Sequence, residues 1–489
     1  MAFALVLTTS CKDFLDVAPT NQAGSETCIT SANDAKVMLD GLYSALTSSN
    51  FYGRNFVVYG DLKSDHMTVE SNGRGYDYMY AYAHSATSGT MSGFWTTGYN
   101  IIMLCCNIIE NCALLDDTDA ENYAAQAQTI RAMVHYDLAR LYGKCYNDDK
   151  TALAVPIVSE TQAASAQPSR NTVSDVYDFV IKELDEAAPA LSKSKDDNYI
   201  NYYGNRAIKA RALMDMENYS DALLVAEEII NCGKYELYTP ENWVDSWAEQ
   251  FGSESIIELG MYVNEGALGT TSDIGSFYIQ GGGNGKNPQL FLASVSFLDR
   301  LMEDPTDVRW GVMEKDVIYE NGIVGGDPVR EAKAIRRHGS CGSCNKYRGG
   351  PEGIGDGKAS ISAVNIKLCR LSEIYLIAAE AAFMFGSKAK AAVYTNEISK
   401  RAVGLDSYTE ATITREKILD EKSKEFLCEG IRYWDLIRTN HEIEMDDYTT
   451  DVVVTTRTTK FDRSFYRCIL PIYKDELNAN PNMKQNPDY

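Results

Sequence analysis

The chain has 489 residues, a length that suits about three domains of ~150 residues or one large composite domain. Hydrophobic residues make up 45% and charged residues 24% of it, a balance typical of a globular protein with a large core and not of a disordered one. Lysine and arginine number 46 against 69 aspartates and glutamates, so the net charge of −23 repels phosphate backbones and anionic lipid and argues against a nucleic-acid partner.

The N-terminal segment contains a short apolar run, residues 2–7, followed by Thr8, two further small residues and Cys11. Such a run is too short to span a bilayer, which takes about 20 apolar residues. It is similar to the end of a bacterial signal peptide whose cysteine becomes the lipidated first residue of the mature chain. We therefore interpret residues 1–10 as a signal-peptide remnant or tail and Cys11 as a lipidation site. The alternative is a disordered tail followed by an unmodified thiol.

Helical periodicity dominates the next 160 residues. Apolar residues at i, i+3 and i+4 spacing between 35 and 46, after a cap at Thr30-Ser31, predict the first helix. Three more helices are predicted. The first covers about 94–115, the second ends at a glycine C-cap, Gly143, and the third runs from the cap region 171–174 to near Pro189.

Two later segments each have the pattern of a pair of antiparallel helices with small residues where the helices approach each other. They are residues 205–237 and residues 370–402, the second with a turn at Gly386. This is the pattern of a tetratricopeptide (TPR) unit of ~34 residues. Because one such pair exposes an apolar face, the pattern predicts a helical-repeat scaffold whose pairs stack on their neighbours. The small residues are Ala207, Ala210, Ala212, Ala222 and Ala226 in the first segment and Ala378, Ala379, Ala382, Ala389 and Ala392 in the second.

Three long insertions interrupt this scaffold, at about 50–92, 235–290 and 310–362. They are rich in Gly, Ser and Tyr and include the β-like runs SIIELGMYV and KDVIYENGIV. Loops of this length are usually functional or disordered, and their aromatic content argues against disorder. The whole chain has 31 Tyr against 15 Phe and 5 Trp, and Tyr is the aromatic side chain that tolerates water, which suggests half-exposed binding surfaces.

Several segments together resemble the SusD/RagB family of outer-membrane glycan-binding lipoproteins. In chain order they are CKDFLD, WTTGYNIIMLCCN, RAMVHYDLARLYG, RLSEIYLIAAEAAFMFG, EKSKEFLCEGIRYWDLIRTN and ILPIYKDELNANPNMKQNPDY. The resemblance covers nearly the whole chain, and the last three motifs are specific when taken jointly. Lys422, Tyr473 and Asp488 depart from the usual family residues, but all three belong to scaffold motifs.

The resemblance implies a mostly α fold, with about four TPR-like helix pairs and an irregular ligand-binding half that is rich in loops and short strands. It divides the chain into an N-terminal region, 11–235, and a C-terminal region, 236–489. It implies a lipid-anchored protein of the cell surface that captures an oligosaccharide or polysaccharide and delivers it to a SusC-type TonB-dependent transporter, without chemistry, cofactor or metal. The motif residues Arg432, Trp434, Asp435 and Arg438 are then expected to form a buried structural network.

The candidate glycan contacts are aromatic residues in the insertions. Tyr76, Tyr78, Tyr80 and Tyr82 alternate, and on a strand or extended loop a period of two would place all four on one face. Sugar rings stack on aromatic faces while their hydroxyls need polar partners. The alternative is a strand whose tyrosines pack on the helices. The full candidate set is Asn72, Arg74, Tyr76, Asp77, Tyr78, Tyr80, Trp95, Phe277, Tyr278 and Trp310.

Two other functions stay open: a TPR-type scaffold that binds protein or peptide, and a glycoside hydrolase, whose paired carboxylates have a spatial and not a sequential spacing. The C-x-x-C at Cys341 and Cys344 has no second pair at zinc-ribbon spacing, which leaves zinc, a disulfide or unpaired thiols. Cysteines 105, 106 and 112 and the pair Trp243 and Trp247 are predicted to be core residues.

Overall fold

The computed structural model describes residues 29–69, 75–195, 198–262, 274–278, 291–313, 342–347, 364–445 and 458–489. The helices of the first half are α1 (Ala32–Leu46), α2 (Asn55–Leu62), α3 (Tyr76–Tyr80), α4 (Gly89–Cys112), α5 (Thr118–Tyr142), α6 (Tyr146–Asp149), α7 (Val173–Ala187), α8 (Tyr202–Asp215) and α9 (Tyr219–Ile230). Those of the second half are α10 (Gly275–Tyr278), α11 (Val295–Leu301), α12 (Leu371–Met384), α13 (Lys388–Ser399), α14 (Arg415–Glu425), α15 (Arg432–Arg438) and α16 (Lys474–Ala479). The fold is therefore mostly α, as predicted.

The predicted helix boundaries are confirmed where a cap sets them. The Ser31 side chain accepts a hydrogen bond from the Asp34 amide at the start of α1. α5 ends at Gly143, and α7 begins with a capping box between Thr172 and Asp175. α7 ends two residues before Pro189, which lies in a short 3₁₀ turn. Capping side chains thus determine where these helices begin and end, while the spacing of apolar residues determines which face of each helix is buried.

The two predicted TPR-like units are the antiparallel pairs α8–α9 and α12–α13. Their small residues are buried at the helix contacts, except Ala389, which is exposed while Ala391 takes the buried position beside Ala392. The two pairs are distant in sequence but adjacent in space, because α9 packs on α12. The packing runs on from α4 and α5 through α7 to α8, so the repeat is one continuous stack of helices.

The strands are short and form three two-stranded antiparallel sheets. They are β1 (Met67–Val69) with β3 (Phe291–Ala293), β2 (Ser255–Leu259) with β4 (Ile366–Arg370), and β5 (Ile443–Glu444) with β6 (Lys460–Phe461). The β-like run at 255–263 is confirmed as β2, whereas the run at 315–324 lies outside the described residues. β4 continues directly into α12, so one sheet is fixed to the helical stack.

A close approach of two backbones joins the first insertion to the C-terminal motif. A Cβ on Gly60 of α2 would lie 1.9 Å from the Gly430 carbonyl oxygen, and Gly430 has a φ of +71°. Beside it, the Arg432 guanidinium donates two hydrogen bonds of 2.8 Å to Asp65, just after α2. Only glycine permits this contact, so the backbone of α2 is held against α15.

The predicted buried network of the EGIRYWDLIR motif is confirmed. Arg432, Trp434, Asp435 and Arg438 are all less than 9% exposed. Arg438 pairs with Glu380 of α12, and Asp435 accepts a hydrogen bond of 2.8 Å from the Lys422 ammonium. The usual arginine of this motif is thus replaced by a lysine that still pairs with Asp435.

One hydrophobic core runs through both halves of the described chain, from Ile29 to Met483. It includes the predicted core cysteines of α4 and the pair Trp243 and Trp247, whose rings meet edge to face at 5.9 Å. The boundary between residues 235 and 236 stays a prediction. Among the described residues, none of the helices has the length and apolar character that a bilayer crossing requires.

Candidate functional site

The tyrosines of the first insertion lie on a short helix and not on a strand, so the expected strand is wrong. Gly75, in the left-handed region at φ +82°, turns the chain into α3. Tyr76 and Tyr80 are then four residues apart on one face, and both are buried. Tyr82 is buried after the helix, while Tyr78 points outward with 51% of its surface exposed. Only one of the four rings is therefore available to a ligand in this conformation.

The buried side of α3 packs against the second predicted aromatic cluster. The Tyr76 ring lies 5.2 Å from Phe277 of α10 and 5.6 Å from Phe291 of β3, measured between ring centroids. Above them, the Arg54 guanidinium lies 5.0 Å from the Phe277 ring and 5.9 Å from the Tyr76 ring. A cation over an aromatic face is attracted by the quadrupole of the ring. Arg54, just before α2, therefore helps to hold Tyr76 of α3 and Phe277 of α10 together.

A buried amide fixes this arrangement. Asn55, 2% exposed, accepts hydrogen bonds at Oδ1 from the Tyr76 hydroxyl at 2.7 Å and from Arg54 Nε at 2.9 Å. Both groups are thereby oriented by the first residue of α2, the helix that Gly430 holds in place. Arg54 was not predicted, because nothing in its local sequence links it to residues 220 positions away.

Tyr278 has a structural partner. Its hydroxyl donates a hydrogen bond of 2.8 Å to Asp61 Oδ2, and both groups are inaccessible to solvent. Burial raises the pKa of Asp61 well above its usual range, and burial together with the nearby Asp61 raises the pKa of Tyr278. The pair is a buried hydrogen bond in the wall behind Phe277, where no ligand reaches it.

The remaining candidates divide between the core and the undescribed segments. Trp95 is buried against Tyr99 and Tyr142, and the Trp310 indole is buried and donates to the Asp304 carbonyl oxygen. Tyr80 is fully buried. Three predicted residues lie outside the described part of the chain, namely Cys11, Asn72 and Arg74.

The part of this region that faces solvent is small and chemically mixed. We define the Tyr78 surface as Arg54, Asp77 and Tyr78. Tyr78 offers a half-exposed ring, while Arg54 and Asp77, both half-buried, bring opposite charges. One carboxylate oxygen of Asp77 is buried and has no hydrogen-bond partner among the described residues. Tyr78 thus offers an exposed ring for stacking, and the charged groups of Asp77, next to it in α3, and of Arg54, which packs on Tyr76 of the same helix, could supply the polar partners that sugar hydroxyls require.

The cysteine motif gives no metal site in the described chain. Cys344 is buried, its predicted partner Cys341 lies outside the described residues, and the histidines, cysteines and acids that are described do not gather into a metal-binding group. Because Cys341 is not described, the choice between zinc, a disulfide and unpaired thiols at this motif stays open.

Comparison with known proteins adds two family matches. The family described as "SusD family" matches residues 341–489, and the family described as "Starch-binding associating with outer membrane" matches residues 13–212.

Some individual relatives match almost the whole chain, and others match a part of it. SusD-like protein P38 of Formosa agariphila is 23% identical over 522 residues, which cover 98% of this chain and 96% of that protein. A crystal structure of a SusD superfamily protein from Bacteroides thetaiotaomicron is 28% identical, with a TM-score of 0.84 over 94% of this chain and all of that one. The starch-binding protein SusD of the same species is 34% identical over 138 residues, 27% of this chain and 24% of that protein.

Proposed function

Because the chain belongs to the SusD/RagB family, we propose that it captures an oligosaccharide or polysaccharide noncovalently and delivers it to a SusC-type TonB-dependent transporter at the outer membrane. Family membership and a fold shared with SusD superfamily structures support glycan binding. The observation that carries the site is the half-exposed Tyr78 ring on α3, the helix that also carries Asp77 and whose Tyr76 ring contacts Arg54.

The physical case rests on preorganisation. Asn55 and the Phe277 ring hold Arg54, and the buried face of α3 holds Tyr78 in its outward position. Because these side chains are already held in place, little conformational entropy is lost when a ligand binds to them. One stacked ring and a few hydrogen bonds suit affinities of micromolar to millimolar order, about 4–8 kcal/mol, and a carrier that hands on its ligand needs rapid release.

Outer-membrane anchoring through Cys11 is part of the proposal. The apolar run before Cys11 and the matched family's description as associating with the outer membrane support it. Labelling with radioactive palmitate should mark the protein expressed with its native signal sequence, and Cys11→Ser should abolish the label; a label that survives this change would place the anchor elsewhere.

A second candidate is a protein-binding scaffold, and a specific observation favours it. Large apolar side chains of the helical stack are exposed, with Leu224 65%, Phe385 64% and Val393 60% exposed. They lie on α9, at the end of α12 and on α13. α9 packs on α12, and α12 packs on α13. Exposed apolar side chains on neighbouring elements are typical of surfaces that meet another protein, including a transporter.

Affinity electrophoresis separates the two candidates. The purified chain is run in gels cast with amylopectin, laminarin and a panel of host and microbial polysaccharides. Glycan binding predicts retardation by at least one polysaccharide, weakened about tenfold by Tyr78→Ala because the stacking face is lost. Phe385→Ala is the matched control, since it removes an exposed ring from the other surface.

Each result has a definite meaning. Retardation that Phe385→Ala leaves intact and Tyr78→Ala weakens supports the proposed site. Retardation unaffected by Tyr78→Ala would keep glycan binding and refute that site. No retardation by any polysaccharide would favour the protein-binding scaffold. Release of reducing ends during incubation would identify the protein as a glycoside hydrolase.

A further inference from the structure

A cleft with aromatic walls is lined by residues other than those of the Tyr78 surface. It lies between α1, the segment before α8 and the end of β2, and has a volume of about 390 Å³. That volume falls within the range of ~300–1,000 Å³ typical of small-molecule sites. We call it the Tyr199 cleft, and its walls include Tyr43, Tyr199, Phe251, Tyr262, Asp40 and Glu258.

Four aromatic side chains line the cleft, and the hydroxyls of two of them, Tyr43 and Tyr199, are engaged by neighbouring groups. Each ring is half-buried. Tyr43 and Tyr199 meet edge to face at 4.9 Å. The Tyr43 hydroxyl donates to Gln126 and accepts from the Ile200 amide, and the Tyr199 hydroxyl donates to Asp40. These hydrogen bonds fix the Tyr43 and Tyr199 rings. The Lys36 ammonium lies over the Tyr199 ring, 4.8 Å from its centroid, and Tyr43, Phe251 and Tyr262 add further aromatic surface to the lining.

Backbone strain is concentrated at the same place. Phe251 and Asn198, both in the cleft wall, have φ values of +52° and +61°. Asparagine tolerates this region, but for a bulky residue such as Phe251 it is a rare and costly conformation. Such strain persists only where surrounding structure imposes it, and it is concentrated at functional sites in proteins.

The group that imposes the strain is a buried carboxylate. Glu258 Oε1 accepts hydrogen bonds of 2.8 Å from the Phe251 amide and from Asn365 Nδ2, and Oε2 accepts one from Ser255. Register shifts in β2, on either side of Ile257, turn Glu258 toward Phe251. Three hydrogen bonds therefore hold the Glu258 carboxylate, and the one from the Phe251 amide fixes the backbone of Phe251 in the wall of the cleft.

The charges of the cleft decide the class of ligand. Its described lining residues include two carboxylates and neither lysine nor arginine. The nearby Lys36 is already engaged, 3.1 Å from Asp40 and 2.9 Å from the Tyr199 hydroxyl. Asp40 is half-exposed and can accept further hydrogen bonds from hydroxyl groups. Glu258 is likewise paired, since its Oε1 lies 3.9 Å from the Lys367 ammonium. An acidic sugar would therefore find no lysine or arginine among the described lining residues to bind it, whereas an uncharged sugar would find aromatic rings and the exposed carboxylate of Asp40.

We propose that the Tyr199 cleft is a second carbohydrate-binding site, which takes one or two rings of an uncharged glycan. The proposal rests on the proposed function and extends it, because two separate sites would hold one polysaccharide chain more firmly than either alone.

The test isolates the cleft by working in the Tyr78→Ala protein. Four uncharged probes, maltohexaose, laminarihexaose, xylohexaose and mannohexaose, are titrated to about 10 mM by ligand-observed NMR, a range that detects millimolar affinity. At least one should bind. Phe251→Gly, which relieves the strained φ while removing the ring, should weaken that binding about tenfold. Tyr199→Ala is a second variant of the same wall, and Phe385→Ala is the control.

Three results would overturn the second site: no binding of any probe to the Tyr78→Ala protein, binding that neither Phe251→Gly nor Tyr199→Ala weakens, or hexagalacturonate binding as tightly as the neutral probes. If a polysaccharide still retards the wild type in any of these cases, glycan capture stands and only the second site fails. Conversely, probe binding lost in Phe251→Gly with gel retardation insensitive to Tyr78→Ala supports the cleft and refutes the Tyr78 surface.

Discussion

Replacing Glu425 by alanine should destabilise the protein by about 3–5 kcal/mol, because this carboxylate lies at the centre of a buried ion cluster. Its Oε1 accepts hydrogen bonds from Trp243 Nε1 at 3.2 Å and from Arg370 at 3.0 Å. Its Oε2 lies 3.4 Å from Arg401 and 3.6 Å from Arg309. All of these side chains are buried, so solvent cannot replace the lost carboxylate.

The buried charges of the cluster balance among the described residues, five positive and five negative, while the exposed Glu303 adds a carboxylate at its edge. The cations are Arg309, Lys346, Arg370, Arg401 and Lys424, and the anions are Glu254, Asp307, Glu421, Glu425 and Glu429. Glu425→Ala leaves one positive charge uncompensated in the interior, and removal of one partner of a buried ion pair is the costly case.

The pKa of Glu425 has the same physical cause. Burial alone would raise this pKa, but Arg401, Arg370 and Arg309 lower it from 4.5 to about 2, so the surrounding cations stabilise the ionised carboxylate.

Urea denaturation followed by tryptophan fluorescence measures the effect as a lower transition midpoint. Glu303→Ala is the control, since Glu303 is 59% exposed and pairs with Lys424 of the same cluster at 3.6 Å; its loss should cost less than about 1 kcal/mol. A Glu425→Ala protein no less stable than Glu303→Ala would refute the reasoning that the cluster is held together by matched buried charge.

Two further predictions concern stability. A carboxylate whose pKa is lower in the folded than in the unfolded protein stabilises the fold at high pH, and this stability is lost as the pH falls through the folded pKa. The free energy of unfolding should therefore decline between about pH 4.5 and pH 2, and Glu425→Gln should flatten that decline. An unchanged slope in acid titrations of the variant would contradict the assignment. Gly60→Ala should lower stability by about 3 kcal/mol or more because its Cβ would overlap the Gly430 carbonyl. Gly41→Ala in α1, with open space around the new Cβ, should be stabilising by about 0.5–1 kcal/mol in the same thermal or urea assay, and similar effects of both changes would rule out the close-approach argument.

The helical part of the fold could be predicted because its signals are local. Caps such as Ser31 and Thr172 lie next to the helices they begin, and the alanines of the two TPR-like units repeat at fixed spacing within ~34 residues. The repeat logic predicted that each pair buries its apolar face against a neighbour. That α9 meets α12, from a pair distant in sequence, is seen only in the structure.

The candidate site could be predicted only in part. The alternation of tyrosines from Tyr76 to Tyr82 fits a strand, but the same residues also fit a single helical turn with Tyr76 and Tyr80 on one face, and the segment is too short for periodicity to decide. The contact of Arg54 with Phe277 joins residues 223 positions apart and has no local signal. The sequence gives no signal for the positive φ of Phe251, because phenylalanine is not a residue type that favours it. It gives none for the bulges that turn Glu258 toward Phe251 either.

Both proposed ligand surfaces depend on the same C-terminal scaffold, although their contact residues come from elsewhere. β4 leads without interruption into α12, β2 pairs with β4, and the carboxylate of Glu258 on β2 holds Phe251 at the Tyr199 cleft. On the other side, Gly430 holds α2, whose first residue, Asn55, orients Arg54 at the Tyr78 surface. Substitutions at Tyr78 or Phe251 should therefore change ligand binding at small cost in stability, whereas changes in the buried charges that anchor β4 and Gly430 should weaken both surfaces together. This separation lets contact residues vary with the glycan while the buried network of the scaffold stays fixed.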